Sequence, residues 1–148
     1  MSLSTRPIVG PVIDRVNGVP RRGALSTTVG DPARAVAALV CAGSAGVHAG
    51  LVTSHLHESV LLGILFALDA VLLGGAALRV SDPLGRTRDA VAAAAVLAAT
   101  AFAYLLSRTS GLPGASEVES VDTLGAITTL SELVGAAACA FLIRRSRP

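Results

Sequence analysis

The stretch Ala90–Leu106, AVAAAAVLAATAFAYLL, decides the fold. Its 17 residues hold nothing more polar than Thr100 and Tyr104. A helix built from it has no face to offer water, whereas a helix of a soluble bundle keeps a polar stripe. At 1.5 Å per residue it lies at the short end of what crosses a hydrocarbon core of roughly 30 Å. Its alanine and leucine content favours a helix over the alternating strands of a membrane barrel. Lipid is the solvent that suits it.

Three more spans emerge on either side. Ala33–Val52 is 20 residues long with a single charge, Arg34, at its beginning. Asp31-Pro32 just before it reads as an N-cap followed by proline at the first helical position. Val60–Leu78 contains Asp69, which costs about +2.5 to +3.5 kcal/mol to insert, and 11 strongly apolar residues at roughly −0.3 to −0.6 kcal/mol each outweigh it. In Leu124–Ile143, eight such residues only balance Glu132, so this span inserts best beside the others. The whole chain agrees: 52% of 148 residues are hydrophobic and 15% charged, where a soluble domain carries about a quarter charged. The expected architecture is an all-α integral membrane four-helix bundle, with helices over 33–52, 60–78, 90–106 and 124–143.

Residues 1–32 mix Arg, Gly and Pro without an apolar period and read as a flexible tail, with no h-region and cleavage site to mark a cleaved signal peptide. Residues 144–148 form a short basic tail. Cys41 and Cys139 both fall inside apolar stretches, where a thiol serves as a small packing residue rather than half of a disulfide.

Arginine fixes the expected orientation, because cytoplasmic flanks retain basic residues. All 12 basic residues are Arg; five lie at or before the first span, three (Arg79, Arg86, Arg88) between the second and third, and three (Arg144, Arg145, Arg147) after the fourth. Only Arg108 falls on the other side. Both termini are thus expected in the cytoplasm of a cell carrying this protein in its plasma membrane, with the loops 53–59 and 107–123 extracytoplasmic. Those loops gather His55, His57, Glu58, Glu117, Glu119 and Asp122. A net charge of +2 without any basic-aromatic patch argues against a nucleic-acid partner. The expected partners are the lipid bilayer and another membrane subunit or a second copy of the chain.

Two groups of residues can carry chemistry. Asp69 and Glu132 lie about 13 to 15 Å below the outer end of their helices, at one level of the bilayer. Two carboxyls at one depth can share a proton or clasp a cation, and can equally serve helix packing through hydrogen bonds to Ser131, Thr128 or Thr129. At the outer surface, His48, His55 and Glu58 are spaced by seven and three residues and share a face if the first helix extends outward; with Glu117, Glu119 or Asp122 folded over them they offer Zn or Cu ligands. His57 gives a His-Leu-His alternative. Arg108 needs a counter-charge, for which Glu58, Glu117, Glu119, Asp122 and Glu132 are candidates. Tyr104, one turn earlier, is placed to anchor at the interface. Gly46 and Gly50 form a GxxxG, and Ser131, Gly135 and Cys139 a small-residue stripe, both suited to close packing within the bundle. There is no GxSxG, phosphate-cradling loop, dinucleotide fingerprint or CxxC, so no enzyme activity is expected and no cofactor is named.

The runs HAGLVTSHLHE (His48–Glu58), LLGILFALDA (Leu61–Ala70) and YLLSRTSGLPG (Tyr104–Gly114), with the acid of the fourth span, resemble small four-span membrane proteins of high-GC Gram-positive bacteria that carry a His-bearing first outer loop and an SRTxGLP-like segment. The likeness covers roughly Val47–Val134. It implies the architecture and an outer face on which His48, His55, Glu58, Arg108, Gly111, Leu112, Pro113 and Glu132 stand at shared positions, and it implies no reaction. The leading expectation is an accessory or scaffold subunit whose outer face binds a partner or a metal ion. The alternative is a small oligomeric proton- or cation-coupled transporter using Asp69 and Glu132.

Overall fold

The computed structural model describes residues 30–111 and 118–146, and places them in four helices: α1 (Pro32–Glu58), α2 (Val60–Ser81), α3 (Thr87–Thr109) and α4 (Thr123–Arg145). Each is long and apolar enough to cross a bilayer. The protein is an integral membrane four-helix bundle, all-α as the composition predicts. The tail before residue 30, the Leu112-Pro113-Gly114 turn, Glu117 and Arg147 lie outside the described residues.

The distribution of side-chain size explains why the bundle holds together in lipid. Between helices there is no hydrophobic gain to be had from lipid-like tails, so close van der Waals approach and interhelical hydrogen bonds must supply the association. The core accordingly consists of Ala37, Cys41, Ala77, Ala93 and Cys139 around Leu73, Leu97 and Val80, while Leu39, Val71, Leu78 and Ile127 point outward. Small residues inside and large ones outside invert the arrangement that water would select.

The helices run up and down in a ring, α1 against α2 and α4, and α3 against α4 and α2; α1 and α3 barely touch across the middle. The α1–α2 hairpin is the tightest pair and the α2–α3 seam the loosest. Gly63 makes the hairpin possible: a Cβ there would stand 2.3 Å from Leu56 Cγ and 2.9 Å from its Cα. Gly135 does the same between α4 and its neighbours, where a Cβ would meet Val40 Cγ1 at 2.7 Å and Leu97 Cδ1 at 3.0 Å. With Cys139 buried one turn on, part of the α4 small-residue stripe packs as its spacing predicts.

The GxxxG of α1 does not. Gly46 and Gly50 are exposed and a Cβ on either meets nothing within 4 Å, because Ala37, Cys41, Ser44 and His48 define the inward face of α1 and a residue two places from Ser44 or His48 is turned about 200° away. A second departure concerns the connection read as a loop over 53–59. Helix α1 continues through Glu58, and only Ser59, in extended conformation (φ −157°, ψ 128°), separates it from α2. The polar sequence TSHLHE (Thr53–Glu58) is thus the last part of α1, projecting past the apolar span.

At the arginine-rich end, Asp31 caps α1 by accepting from the Ala33 N–H at 3.1 Å, with Pro32 following as the sequence predicts. Arg34 donates to the carbonyls of Val80 and Asp82 at 2.9 Å each, satisfying acceptors that the end of α2 leaves open. Asp31 also meets Arg145 at 3.5 Å, bringing the end of α4 to the start of α1.

Candidate functional site

At mid-bundle, five polar side chains, two from α1 and one from each other helix, join a single polar chain. Glu132 of α4, only 1% exposed, is hydrogen-bonded through Oε1 to the hydroxyl of Ser44 on α1. One turn outward, the His48 Nδ1 lies 2.9 Å from the carbonyl of Ser44. Its Nε2 stands 3.3 Å from Oδ2 of Asp69 on α2. The two oxygens of Asp69 are 3.1 and 3.0 Å from the hydroxyl of Thr100 on α3, which also reaches the Val96 carbonyl at 3.0 Å.

The geometry orients the imidazole. A carbonyl oxygen only accepts, so the His48 Nδ1 carries a hydrogen. Nε2 then faces Oδ2 of Asp69 at 3.3 Å, where a proton on either partner makes the contact a hydrogen bond. Asp69 and Glu132 therefore belong to one network, joined through Ser44 and His48 and not by direct contact. His48 is a member of this network, not of the outer-surface group to which its spacing assigned it. Phe66 separates the two levels, with His48 stacked on it at 5.2 Å and His55 at 3.8 Å between ring centroids.

The outer group is built from the end of α1 and the segment leading into α4. His55, Glu58 and Glu119 each present a ligand atom within 4.8 Å of the others. His57 is exposed and stays apart from them. Arg108, near the end of α3, is tied to Glu119 and, at 2.6 Å, to Asp122, so among the described residues its counter-charges are these two, with neither Glu58 nor Glu132 in reach. Its guanidinium also lies 4.6 Å above the Tyr104 ring. Tyr104 thus supports Arg108 in place of a free role at the interface, and its hydroxyl reaches the Asp122 carbonyl at 3.4 Å.

Asp122 caps α4, accepting from the Gly125 N–H at 2.7 Å. That bond, reinforced by Arg108 and only partly opposed by desolvation, holds its carboxyl below the ordinary value of 3.8. A carboxyl whose value is depressed in the folded state stabilises it above the unfolded value, and the contribution disappears as pH falls through the folded one. Asp122→Ala is expected to cost about 1 kcal/mol, as for a lost N-cap. The difference from the wild type should shrink when unfolding in detergent is followed at about pH 3 instead of about pH 6; a constant difference would mean that the carboxylate charge plays no part.

Both levels line one cavity of about 1070 Å³. Its lining draws on all four helices and the segment before α4, with Leu62, Leu65, Phe66, Leu68 and Leu72 of α2 forming much of one wall. His55, Glu58 and Glu119 stand at its rim, Asp69 and Glu132 at its floor. Below the floor the bundle is closed by Leu73, Leu97, Cys41 and Cys139, all at 0% exposure. Five carboxylates (Glu58, Asp69, Glu119, Asp122 and Glu132) line the cavity against one guanidinium, Arg108, which is already paired twice.

Ser44 and Thr100 were not singled out as site residues from the sequence. The signal for Ser44 was its place one turn before His48, and for Thr100 its being the lone hydroxyl in the middle of an otherwise apolar span. No known family, curated protein or solved structure matches the chain.

Proposed function

We propose that the protein is a membrane-embedded binding subunit whose cavity takes up an amphipathic organic cation from the acidic end. The observation that carries this reading is the pairing of apolar walls with a carboxylate-lined interior in which the only guanidinium is already neutralised. A volume of about 1070 Å³ is that of a site for a drug-sized molecule, far larger than a bare ion needs. Desolvated carboxylates favour positive charge, and the exposed aromatic and aliphatic walls accept the apolar remainder of such a ligand. The asymmetric distribution of arginine supports an orientation in which this end faces away from the cytoplasm.

Binding is favoured over transport because the half of the bundle below the floor is packed and apolar, so passage across the membrane would require the core around Leu73 and Leu97 to open. One observation does favour the proton-coupled carrier as a second reading. His48 and Asp69 stand 3.3 Å apart, and a proton bound at such a pair is the kind of group that an incoming cation displaces.

Tetraphenylphosphonium and tetraphenylborate have the same shape and opposite charge, which makes them a direct test. Calorimetry on the detergent-solubilised protein should show saturable tetraphenylphosphonium binding at least tenfold tighter than that of the borate. Asp69→Asn combined with Glu132→Gln should remove most of that preference. Equal affinity for the two ions, or a preference unchanged in the double variant, would overturn the proposal.

A further inference from the structure

The rim group of the cavity has a chemistry that an organic cation does not explain. His55, Glu58 and Glu119 come from two separate elements, yet their ligand atoms converge within 4.8 Å. The His55 Nδ1 lies 2.9 Å from the Leu51 carbonyl and so carries the hydrogen, which leaves Nε2 with a free lone pair. A metal-binding imidazole is held in just this way, one ring nitrogen donating to a backbone carbonyl and the other presented to the ion. Glu119 engages Arg108 through Oε2, and a carboxylate has a second oxygen to give. The local charge is also unbalanced. Glu58, Glu119 and Asp122 gather at this end of the cavity, where Arg108, paired with the last two, is the one guanidinium in the lining, a surplus of two negative charges that one divalent ion would cancel.

From this geometry we infer that His55, Glu58 and Glu119 form a binding site for a first-row divalent metal ion of the zinc class. One imidazole and two carboxylates, with no thiolate, suit Zn²⁺, Co²⁺ or Mn²⁺ and do not suit Cu(I). Bonds of roughly 2.0–2.2 Å place tetrahedral ligand atoms about 3.4 Å apart, so the three groups need to draw in by about 1.5 Å at most. Glu58 is exposed at the end of α1 and free to rotate. Glu119 is set in place by its backbone N–H, which donates to the Ser107 carbonyl at 3.1 Å. Water completes the coordination. The ion would fasten the segment before α4 to the end of α1, directly over the cavity mouth, and so narrow the entrance.

The site stands whether or not the cavity takes an organic cation, and the experiment separates the two. Metal-free full-length protein in detergent is titrated with Zn²⁺ by calorimetry and with Co²⁺ by its visible absorption. One ion per chain is expected, with His55→Ala and Glu58→Gln each weakening binding at least tenfold. His57→Ala, two residues away on the opposite side of α1, should bind as the wild type does. Asp69→Asn should likewise leave Zn²⁺ binding intact while reducing that of tetraphenylphosphonium. Affinity unchanged in His55→Ala, or lost equally in His57→Ala, would overturn the assignment, and so would Co²⁺ spectra identical in the wild type and Glu58→Gln.

Discussion

Replacing His48 with leucine is expected to destabilise the bundle by about 2 kcal/mol, and replacing Asp69 with leucine at the same time to restore most of the loss. Breaking a buried ion pair by removing one partner costs about 3–5 kcal/mol, because the partner left behind is uncompensated. The figure is lower here because the Asp69 side chain keeps 24% of its exposure through the cavity and retains Thr100 as a partner. Removing both groups leaves no orphan, and a pair of apolar residues in their place is often as stable as the pair it replaces. The coupling between two such neighbours is typically 0.5–3 kcal/mol. A double-mutant cycle on unfolding midpoints in mixed micelles measures it. Strict additivity of the two single losses would show that the His48–Asp69 contact carries no energy. The cycle also separates structure from function, because the doubly substituted protein should fold and yet lose its preference for tetraphenylphosphonium.

The spans were legible because lipid imposes a simple demand, a run of apolar residues with no polar face, and Ala90–Leu106 meets it without ambiguity. That Asp69 and Glu132 line one cavity agrees with the level that rise per residue gives each of them once the spans are known. The grouping of the histidines was not legible. A spacing of seven places His48 and His55 on one face of a helix but about 10.5 Å apart along it, so the two belong to different levels of the cavity with Phe66 between them. His57 drops out for a related reason. Two residues apart in a loop can converge, whereas two residues apart in a helix diverge by about 200°, and the segment is helical through Glu58. Small residues on α1 were misread because GxxxG specifies a surface that permits close approach without saying that a neighbour is there. The direction was present in the sequence all the same, in Cys41, Ser44 and His48, whose spacing marks the opposite face as the inner one.

Gly63 and Gly50 should respond to alanine with opposite signs. On the exposed face of α1 a Cβ at Gly50 meets nothing within 4 Å, so Gly50→Ala removes a flexible residue from a helix interior and is expected to stabilise by up to about 0.5–1 kcal/mol. The same methyl at Gly63 would lie 2.3 Å from Leu56 Cγ and 2.9 Å from Leu56 Cα. A side chain can rotate away and a backbone atom cannot, so α1 and α2 must separate, at a cost of about 3 kcal/mol, the upper end of what overpacking brings. Leu56→Ala in the Gly63→Ala background should recover only part of this, since Cα remains. The consequence reaches the cavity. Phe66, three residues beyond Gly63 on α2, stacks on both His55 and His48, and the His48–Asp69 contact crosses the same α1–α2 interface. Parting the hairpin therefore disturbs rim and floor together, and Gly63→Ala should weaken Zn²⁺ and tetraphenylphosphonium alike, whereas the substitutions at His55 and Asp69 each affect one. Unfolding midpoints and both titrations on the two glycine variants check this. A Gly63→Ala protein as stable as the wild type would mean that the close α1–α2 approach does not hold the site in place.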